Sequence, residues 1–140
     1  MFYVDTSVLV AVFTQEDASS RATAWLRRSE PEGVAISEWV ATEFAAALSA
    51  KIRTKHIDEA YRDNALRLFA MTVRGSMQVA AVTVEHFKRA AQFASDHKLG
   101  LRAGDALHLA IASDQGAILC TLDKRLASAG KALGFASRLI

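Results

Sequence analysis

The sequence predicts a three-layer α/β/α domain with a mostly parallel central sheet, on two observations. Short apolar runs alternate with longer segments of helical periodicity along the 140 residues, which is typical of a parallel sheet covered by helices on both faces. Four apolar runs also follow a glycine, and three of these glycines come after helix-like segments. Glycine readily adopts the left-handed conformation just past a helix end. We predict one domain spanning residues 1–140.

The apolar runs predict short strands, and the periodic segments predict the helices between them. The predicted strands are 2–4, 34–36, 77–82, 117–122 and 135–136; the predicted helices are 18–28, 38–53, 57–74, 84–98, 103–114 and 124–133. Ser37 and Thr83 are candidate N-caps. No strand separates the helices 38–53 and 57–74, so we expect them to form a helical hairpin.

Composition excludes several classes of protein. An apolar fraction of 51% with 23% charged residues indicates an ordered globular chain. Cys120 is the only cysteine, which excludes an internal disulfide and a cysteine zinc cluster, and its apolar surroundings predict a buried packing role. The start of the chain has no basic leader and Asp5 interrupts its short apolar stretch, so we expect neither a signal peptide nor a membrane span, and a cytoplasmic location.

Positive charge is concentrated in the middle of the chain. Residues 51–102 carry ten Lys and Arg against five Asp and Glu, although the net charge of the whole sequence is only +2. A basic middle beside acidic ends suits a polyanion held near a carboxylate cluster. Solvated helix faces explain many of the same side chains.

Four acids lie within or next to apolar runs of the sequence, where a charge has no structural role: Asp5, Glu43, Asp105 and Asp123. Asp5 and Asp123 close predicted strands, and ligands of parallel sheets bind beyond the carboxyl ends of the strands. Glu43 borders the buried face of its helix, and Asp105 stands in a first helical turn, where the helix dipole alone would favour it. If the fold brings the four together, a cation must bind there, because carboxylates are rarely buried unpaired.

Magnesium or manganese fits such a set best, since these hard cations prefer oxygen ligands. A bound metal can activate water and neutralise charge developing at phosphorus. The sequence contains no Gly-x-Ser-x-Gly, His-Glu-x-x-His, Walker or Gly-x-Gly-x-x-Gly pattern, which argues against hydrolase triads, zinc proteases, nucleotide triphosphatases and dinucleotide enzymes.

Polar neighbours of the acids are candidates for orienting ligands or water. Thr6, Ser7 and Thr121 could act by hydrogen bonds, or could serve as turn and cap residues. His108 follows Asp105 by three residues on the same helix. Its expected role is hydrogen-bonded packing, with metal or acid–base chemistry as the alternative.

The motifs around the acids resemble those of PIN domains. Residues 4–7, Val-Asp-Thr-Ser, resemble the opening of that family. Residues 101–110, Leu-Arg-Ala-Gly-Asp-Ala-Leu-His-Leu-Ala, resemble its third acidic motif in the form common among VapC-type toxins, and residues 121–126 resemble its closing Thr-x-Asp motif. Glu43 occupies the place of the helical acid. The resemblance spans essentially the whole chain, with order and spacing preserved.

The resemblance implies a metal-dependent endoribonuclease, the toxin of a toxin–antitoxin pair. It implies that Asp5, Glu43 and Asp105 hold Mg²⁺ or Mn²⁺ and that Asp123 acts through water or a second ion. Arg102, Lys124 and Arg125 flank the acids and could hold RNA phosphates, or be ordinary surface charges. The family further implies a homodimer and a small VapB-like antitoxin, whose C-terminal segment lies in a groove and places a basic side chain among the carboxylates.

Two other classes of function share parts of this pattern. Receiver domains and haloacid-dehalogenase-like phosphatases also gather acids on a parallel sheet, but they need acids that Val4-Asp5-Thr6-Ser7 lacks. The stronger alternative is a module on the same fold that binds RNA or a partner without cutting. Four intact acids argue against it, because a non-catalytic scaffold gains nothing from crowding carboxylates.

Overall fold

A computed structural model describes residues 1–140 and has a five-stranded sheet with the order β3-β2-β1-β4-β5. The strands are β1 (Phe2–Val4), β2 (Val34–Ser37), β3 (Met77–Ala80), β4 (Ile118–Thr121) and β5 (Ser137–Leu139). Every neighbouring pair is parallel. The predicted three-layer α/β/α class with a mostly parallel sheet is confirmed.

Seven α-helices connect the strands. They are α1 (Thr6–Phe13), α2 (Ser19–Ser29), α3 (Glu38–Arg53), α4 (Glu59–Ser76), α5 (Val84–Ser95), α6 (Ala103–Asp114) and α7 (Lys124–Ala132), with a short 3₁₀ turn at Glu30–Glu32. Helices α1 to α4 pack on one another, as do α5 to α7. Along the sheet, the connections from β1 to β2 and from β2 to β3 run in one direction, and those from β3 to β4 and from β4 to β5 run in the opposite direction. Because crossovers between parallel strands are right-handed, the two groups of helices lie on opposite faces of the sheet. None of the helices has the length and apolarity needed to cross a membrane.

The structure differs from the sequence prediction most in three places, and the remaining bounds agree within two residues. The prediction lacks α1, which begins directly after Asp5. The last predicted strand is 135–136, whereas β5 is Ser137–Leu139, and the predicted helix 84–98 extends beyond α5, which ends at Ser95. Gly75 lies within α4, while Gly33, Gly116 and Gly134 adopt positive φ.

The core lies between the sheet and the two helical layers. The strands β1 and β2 are buried along their whole length, as expected for the centre of a parallel sheet. On one face, the rings of Phe44 and Phe69 stack at 4.6 Å and Phe13 packs edge-on against both. These three rings join α1, α3 and α4, so the helical pair α3–α4 is held together and against α1.

The N-caps explain where several helices begin. Thr83 caps α5 in a reciprocal capping box with His86. Ser37 precedes α3 but makes no side-chain cap bond. Its hydroxyl instead lies 2.8 Å from Oη of Tyr3. The predicted N-cap at Thr83 is therefore confirmed. Ser37 occupies the N-cap position of α3, but its side chain bonds to Tyr3 and not to the backbone of the helix.

Candidate active site at the carboxyl edge of the sheet

The four predicted acids line one cleft of about 640 Å³ at the carboxyl ends of the strands. Asp5 directly follows β1, and Asp123 follows β4 after one residue. The connections from β1 and β4 leave in opposite directions along the sheet, which creates a crevice where ligands of such folds bind. Glu43 from α3 and Asp105 from the first turn of α6 reach the same cleft.

Asp5 is buried and accepts three hydrogen bonds. Its Oδ1 accepts from the Ser7 hydroxyl at 2.6 Å and from the backbone N–H of Val8 at 3.4 Å, and its Oδ2 accepts from the Thr121 hydroxyl at 2.6 Å. The bond from Val8 makes Asp5 the N-cap of α1. Burial nevertheless raises the pKa of Asp5, although His108 and these donors oppose the effect. A cation in the cleft would favour the charged carboxylate.

Glu43 is held by two side-chain donors on one oxygen. Its Oε2 accepts from the Thr6 hydroxyl at 2.5 Å and lies 2.6 Å from Nε2 of His108. Burial alone would raise the pKa of Glu43. The hydrogen bond and charge of His108, together with Thr6, outweigh burial, so the pKa of Glu43 lies below its usual range. Glu43 is therefore a carboxylate stabilised in its charged form.

Gly104 provides the space for the other oxygen of Glu43. A Cβ built on Gly104 would lie 2.5 Å from Oε1 of Glu43 and 3.5 Å from the indole nitrogen of Trp39. That indole N–H is buried and has no partner within hydrogen-bonding geometry, but it faces the same carboxylate and helps to lower its pKa. Only glycine at this position leaves the carboxylate where it is.

Asp105 and Asp123 form the other side of the cleft. Burial and the charge of Asp123 raise the pKa of Asp105. Asp123 is the N-cap of α7, and its Oδ1 accepts from the backbone N–H groups of Arg125 at 2.7 Å and Leu126 at 3.1 Å. Two neighbouring carboxylates without a cation between them repel each other.

The donor set fits a hard divalent cation. No Lys or Arg forms an ion pair with any of the four acids, and His108 is the only cationic candidate in contact with them. Carboxylate oxygens are the ligands that Mg²⁺ and Mn²⁺ prefer, and Asp5 and Asp105, whose pKa values are raised, have no ion-pair partner. The side chains do not, however, form a ready cluster of three or more His, Cys, Asp or Glu around one point.

The other predicted site residues lie at different depths. Thr6, Ser7 and Arg102 line the cleft, but the two hydroxyls donate to Glu43 and Asp5. Thr121 is fully buried behind Asp5 and does not reach the cleft wall. Lys124 and Arg125 are exposed at the start of α7, outside the cleft lining, and the guanidinium of Arg125 lies 3.4 Å from the carbonyl oxygen of Gly100.

Several residues of the site were not singled out from the sequence. Glu16 adds a fifth acid to the cleft wall and pairs with Lys51 at 2.8 Å. Tyr3 and Ser37 contact the site from within the core. Gly104 directly precedes Asp105, and this position next to a candidate acid could have drawn attention to it. Nothing in the sequence marks Tyr3 as a site residue, because an aromatic residue in an apolar strand run predicts packing.

The acid-lined crevice on a parallel α/β/α sheet is the arrangement of a PIN fold. The PIN domain family profile matches residues 2–132, and the chain belongs to this family. A search of curated proteins finds no match.

Solved structures with the same fold include toxin–antitoxin proteins. VapC20 of Mycobacterium tuberculosis, described as a sarcin–ricin loop cleaving toxin, has a TM-score of 0.73 at 21% identity over 93% of this chain and 95% of that one. FitAB bound to an IR36 DNA fragment has a TM-score of 0.75 at 17% identity over 99% and 94% of the two chains. VapBC2 of Rickettsia felis, bound to a DNA fragment from its promoter, has a TM-score of 0.71 at 16% identity over 99% and 98%.

Proposed function

We propose that the protein is a metal-dependent endoribonuclease and the toxin component of a toxin–antitoxin pair. The observation that carries the proposal is the gathering of Asp5, Glu43, Asp105 and Asp123 along one cleft of a PIN domain, where none of the four forms an ion pair with Lys or Arg. The family match and the structural relatives support a nuclease of toxin–antitoxin type.

In this proposal Asp5, Glu43 and Asp105 hold Mg²⁺ or Mn²⁺, and Asp123 contributes through water or a second ion. The metal supplies activation of water and stabilisation of negative charge at the scissile phosphodiester. Thr6 and Ser7 keep the carboxylates of Glu43 and Asp5 in place by hydrogen bonds of 2.5 Å and 2.6 Å. Thr121 does the same from behind, so the hydroxyls preorganise the acids and do not attack the phosphate.

RNA is the proposed substrate, and basic side chains near the cleft are its proposed phosphate contacts. Arg102 lines the cleft, and Lys124 and Arg125 are exposed close to Asp123. Phosphate contacts position a nucleic acid without reading its sequence. We therefore expect charge reversal at Lys124 or Arg125 to weaken RNA binding without changing the cleavage sites.

The proposed partner is a small VapB-like antitoxin, and the proposed assembly is a homodimer. Support for the antitoxin comes from the relatives, whose names describe the FitAB and VapBC2 complexes and a toxin–antitoxin complex from Klebsiella pneumoniae. The homodimer rests on the family resemblance of the sequence alone.

The test compares wild type with Asp5→Asn on total cellular RNA in Mg²⁺, Mn²⁺ or EDTA. Asparagine keeps the size of Asp5 and its acceptor for the α1 cap but removes the charge. We expect discrete fragments that require both the metal and Asp5, with wild-type cleavage in the control Asp63→Asn, whose carboxylate is exposed on α4. Sarcin–ricin loop RNA is one defined substrate for the assay, because the VapC20 relative is described as cleaving it.

The outcomes separate cleavage from binding. Cleavage that survives EDTA or Asp5→Asn would overturn the proposal. Metal-dependent RNA binding without cleavage by wild type would favour the non-cleaving module instead.

A further inference from the structure

A continuous chain of buried hydrogen bonds runs from the core to Glu43. Oγ of Ser37 lies 2.8 Å from Oη of Tyr3, Oη of Tyr3 lies 3.1 Å from Nδ1 of His108, and Nε2 of His108 lies 2.6 Å from Oε2 of Glu43. Ser37 and Tyr3 are 0% exposed and His108 is 2% exposed. We call Ser37, Tyr3 and His108 the Glu43 relay.

The chemistry of these groups sets the direction of the last bond. A charged carboxylate only accepts hydrogen bonds, so Nε2 of His108 carries the proton donated to Glu43. The hydroxyl groups of Tyr3 and Ser37 can each donate or accept, so the bonds from Nδ1 of His108 to Tyr3 and from Tyr3 to Ser37 are satisfied whether or not Nδ1 carries a proton.

Glu43 needs such support more than the other acids do. Asp5 and Asp123 have short side chains and are fixed as N-caps by backbone N–H groups. Glu43 lies in the middle of α3, has a longer side chain with more rotamer freedom, and accepts from no backbone group. Its position in the cleft depends on Thr6 and on the relay.

The relay is anchored at the buried centre of the sheet. Tyr3 lies on the central strand β1, which pairs with both β2 and β4, and Ser37 ends β2. His108 comes from α6 and contacts Tyr3 on one side and Glu43 on the other. The Ser37 hydroxyl bonds to Tyr3 and makes no side-chain cap bond to α3. A hydroxyl needed only to start the helix would bond to the backbone of α3 instead.

We propose that Ser37 and Tyr3 act through His108 as positioning residues that hold the Glu43 carboxylate ready to bind the divalent cation. This inference rests on the proposed function, because it concerns the same metal site. Partners that orient a metal ligand typically change metal affinity when they are removed, even though they do not touch the ion.

The test measures Mn²⁺ affinity by isothermal titration calorimetry on the full chain, together with the Tm in EDTA. We expect Tyr3→Phe and Ser37→Ala to weaken Mn²⁺ binding by about 3- to 10-fold, and His108→Leu by roughly 10- to 100-fold. The control is Thr14→Val, which removes another buried hydroxyl that donates to the carbonyl of Val10 at 2.7 Å and has no contact with the four acids.

A purely structural role makes a different prediction. It would lower the Tm of Tyr3→Phe and Ser37→Ala as Thr14→Val does, but leave Mn²⁺ affinity within about 2-fold of wild type. That result would overturn the inference. Absence of Mn²⁺ binding by wild type would instead contradict the proposed function itself. Ser37→Ala provides the same readout should Tyr3→Phe fold poorly.

Discussion

At the scale of single residues, the carboxylates of the cleft have opposite electrostatic environments. Burial raises the pKa of Asp5, and burial with the charge of Asp123 raises the pKa of Asp105. The pKa of Glu43 is lowered because His108 and Thr6 outweigh its burial. One cleft thus contains two acids that resist ionisation without a cation and one that is already stabilised as an anion.

This difference predicts opposite effects of neutral substitutions on stability in EDTA. At pH 7, Asp105→Asn should raise the Tm by up to about 3 °C, because half-exposure screens the repulsion that it removes. Glu43→Gln should lower the Tm, because the charged form of Glu43 is the stabilised one. Differential scanning fluorimetry from pH 2.5 to pH 7 measures both, because the contribution of Glu43 is lost only below the ordinary pKa of a glutamate.

The pH dependence follows from the signs of the shifts. The folded-state pKa of Asp105 is raised, so its penalty appears as pH rises through that pKa, and the gain from Asp105→Asn should vanish at low pH. The folded-state pKa of Glu43 is lowered, so its contribution is present above the unfolded pKa and is lost as pH falls through the folded one. A stable difference across the whole range would contradict both assignments. With Mn²⁺ in place of EDTA, the Tm of wild type should be higher than that of Asp105→Asn, because the ion stabilises wild type more.

Gly104 predicts a loss of activity with little loss of stability. In Gly104→Ala the new methyl group collides with Oε1 of Glu43, which is the free end of a flexible side chain and can move away. We expect RNA cleavage to fall at least about 10-fold, as for a displaced metal ligand, while the Tm changes by only a few degrees. The matched control is Gly75→Ala in α4, where nothing lies within 4 Å of the added Cβ. That variant should cleave normally and gain about 0.5–1 kcal/mol of stability. Equal loss of activity in both would rule out the collision.

Cys120 should be unreactive in the folded protein. Burial raises the pKa of its thiol to about 12, so almost no thiolate exists at pH 8. We expect no labelling by a disulfide reagent such as DTNB in native buffer and complete labelling in guanidinium chloride. Rapid native labelling would show that β4 opens readily.

The sequence allowed the four acids to be singled out because each one breaks an apolar run. It did not allow their fixing groups to be identified. Tyr3 and Ser37 look like ordinary strand residues, and only the fold brings them to His108, which is 105 residues from Tyr3 in sequence. Gly104 shows its role only when the position of Glu43 is known.

At the scale of elements, α1 is a helix that the hydrophobic pattern of the sequence does not predict. Its residues, Thr6–Phe13, are uniformly apolar after the first two and rich in valine, so they lack the one-sided pattern of a surface helix. The helix forms because Asp5 caps it and because it is buried between the sheet and α3. The amphipathic helices α2 to α5 were predictable, since each exposes one polar face. Helix α6 differs from them, because Ala106–Ala112 are all buried.

The aromatic cluster of Phe13, Phe44 and Phe69 should dominate the stability of the α3–α4 pair. Phe69→Ala removes the ring stacked on Phe44 at 4.6 Å and leaves a cavity, which costs about 3–4 kcal/mol. We expect a fall in Tm of roughly 10 °C by circular dichroism, with Phe87→Ala, which is 56% exposed, as the control. A loss below about 1 kcal/mol would mean that α4 repacks.

At the scale of the whole molecule, the predicted alternation of strands and helices led correctly to a parallel sheet with two helical layers. The strand order was not predictable, because short strands of similar composition carry no pairing information. The order places β1 at the centre and brings the ends of β1 and β4 side by side. That adjacency is what converts Asp5 and Asp123, at opposite ends of the sequence, into neighbours.

The central place of β1 has a consequence for synthesis of the chain. Phe2, Tyr3 and Val4 are made before the other strands, but they pair with Ile118, Leu119 and Cys120, and the Asp5 carboxylate is held by Thr121, 116 residues later. A nascent chain that stops before β4 therefore lacks the pairing of β1 with β4 and has an incomplete acid cluster. If the protein cleaves RNA as proposed, a ribosome producing it is not exposed to its activity until residues up to Asp123 have left the exit tunnel.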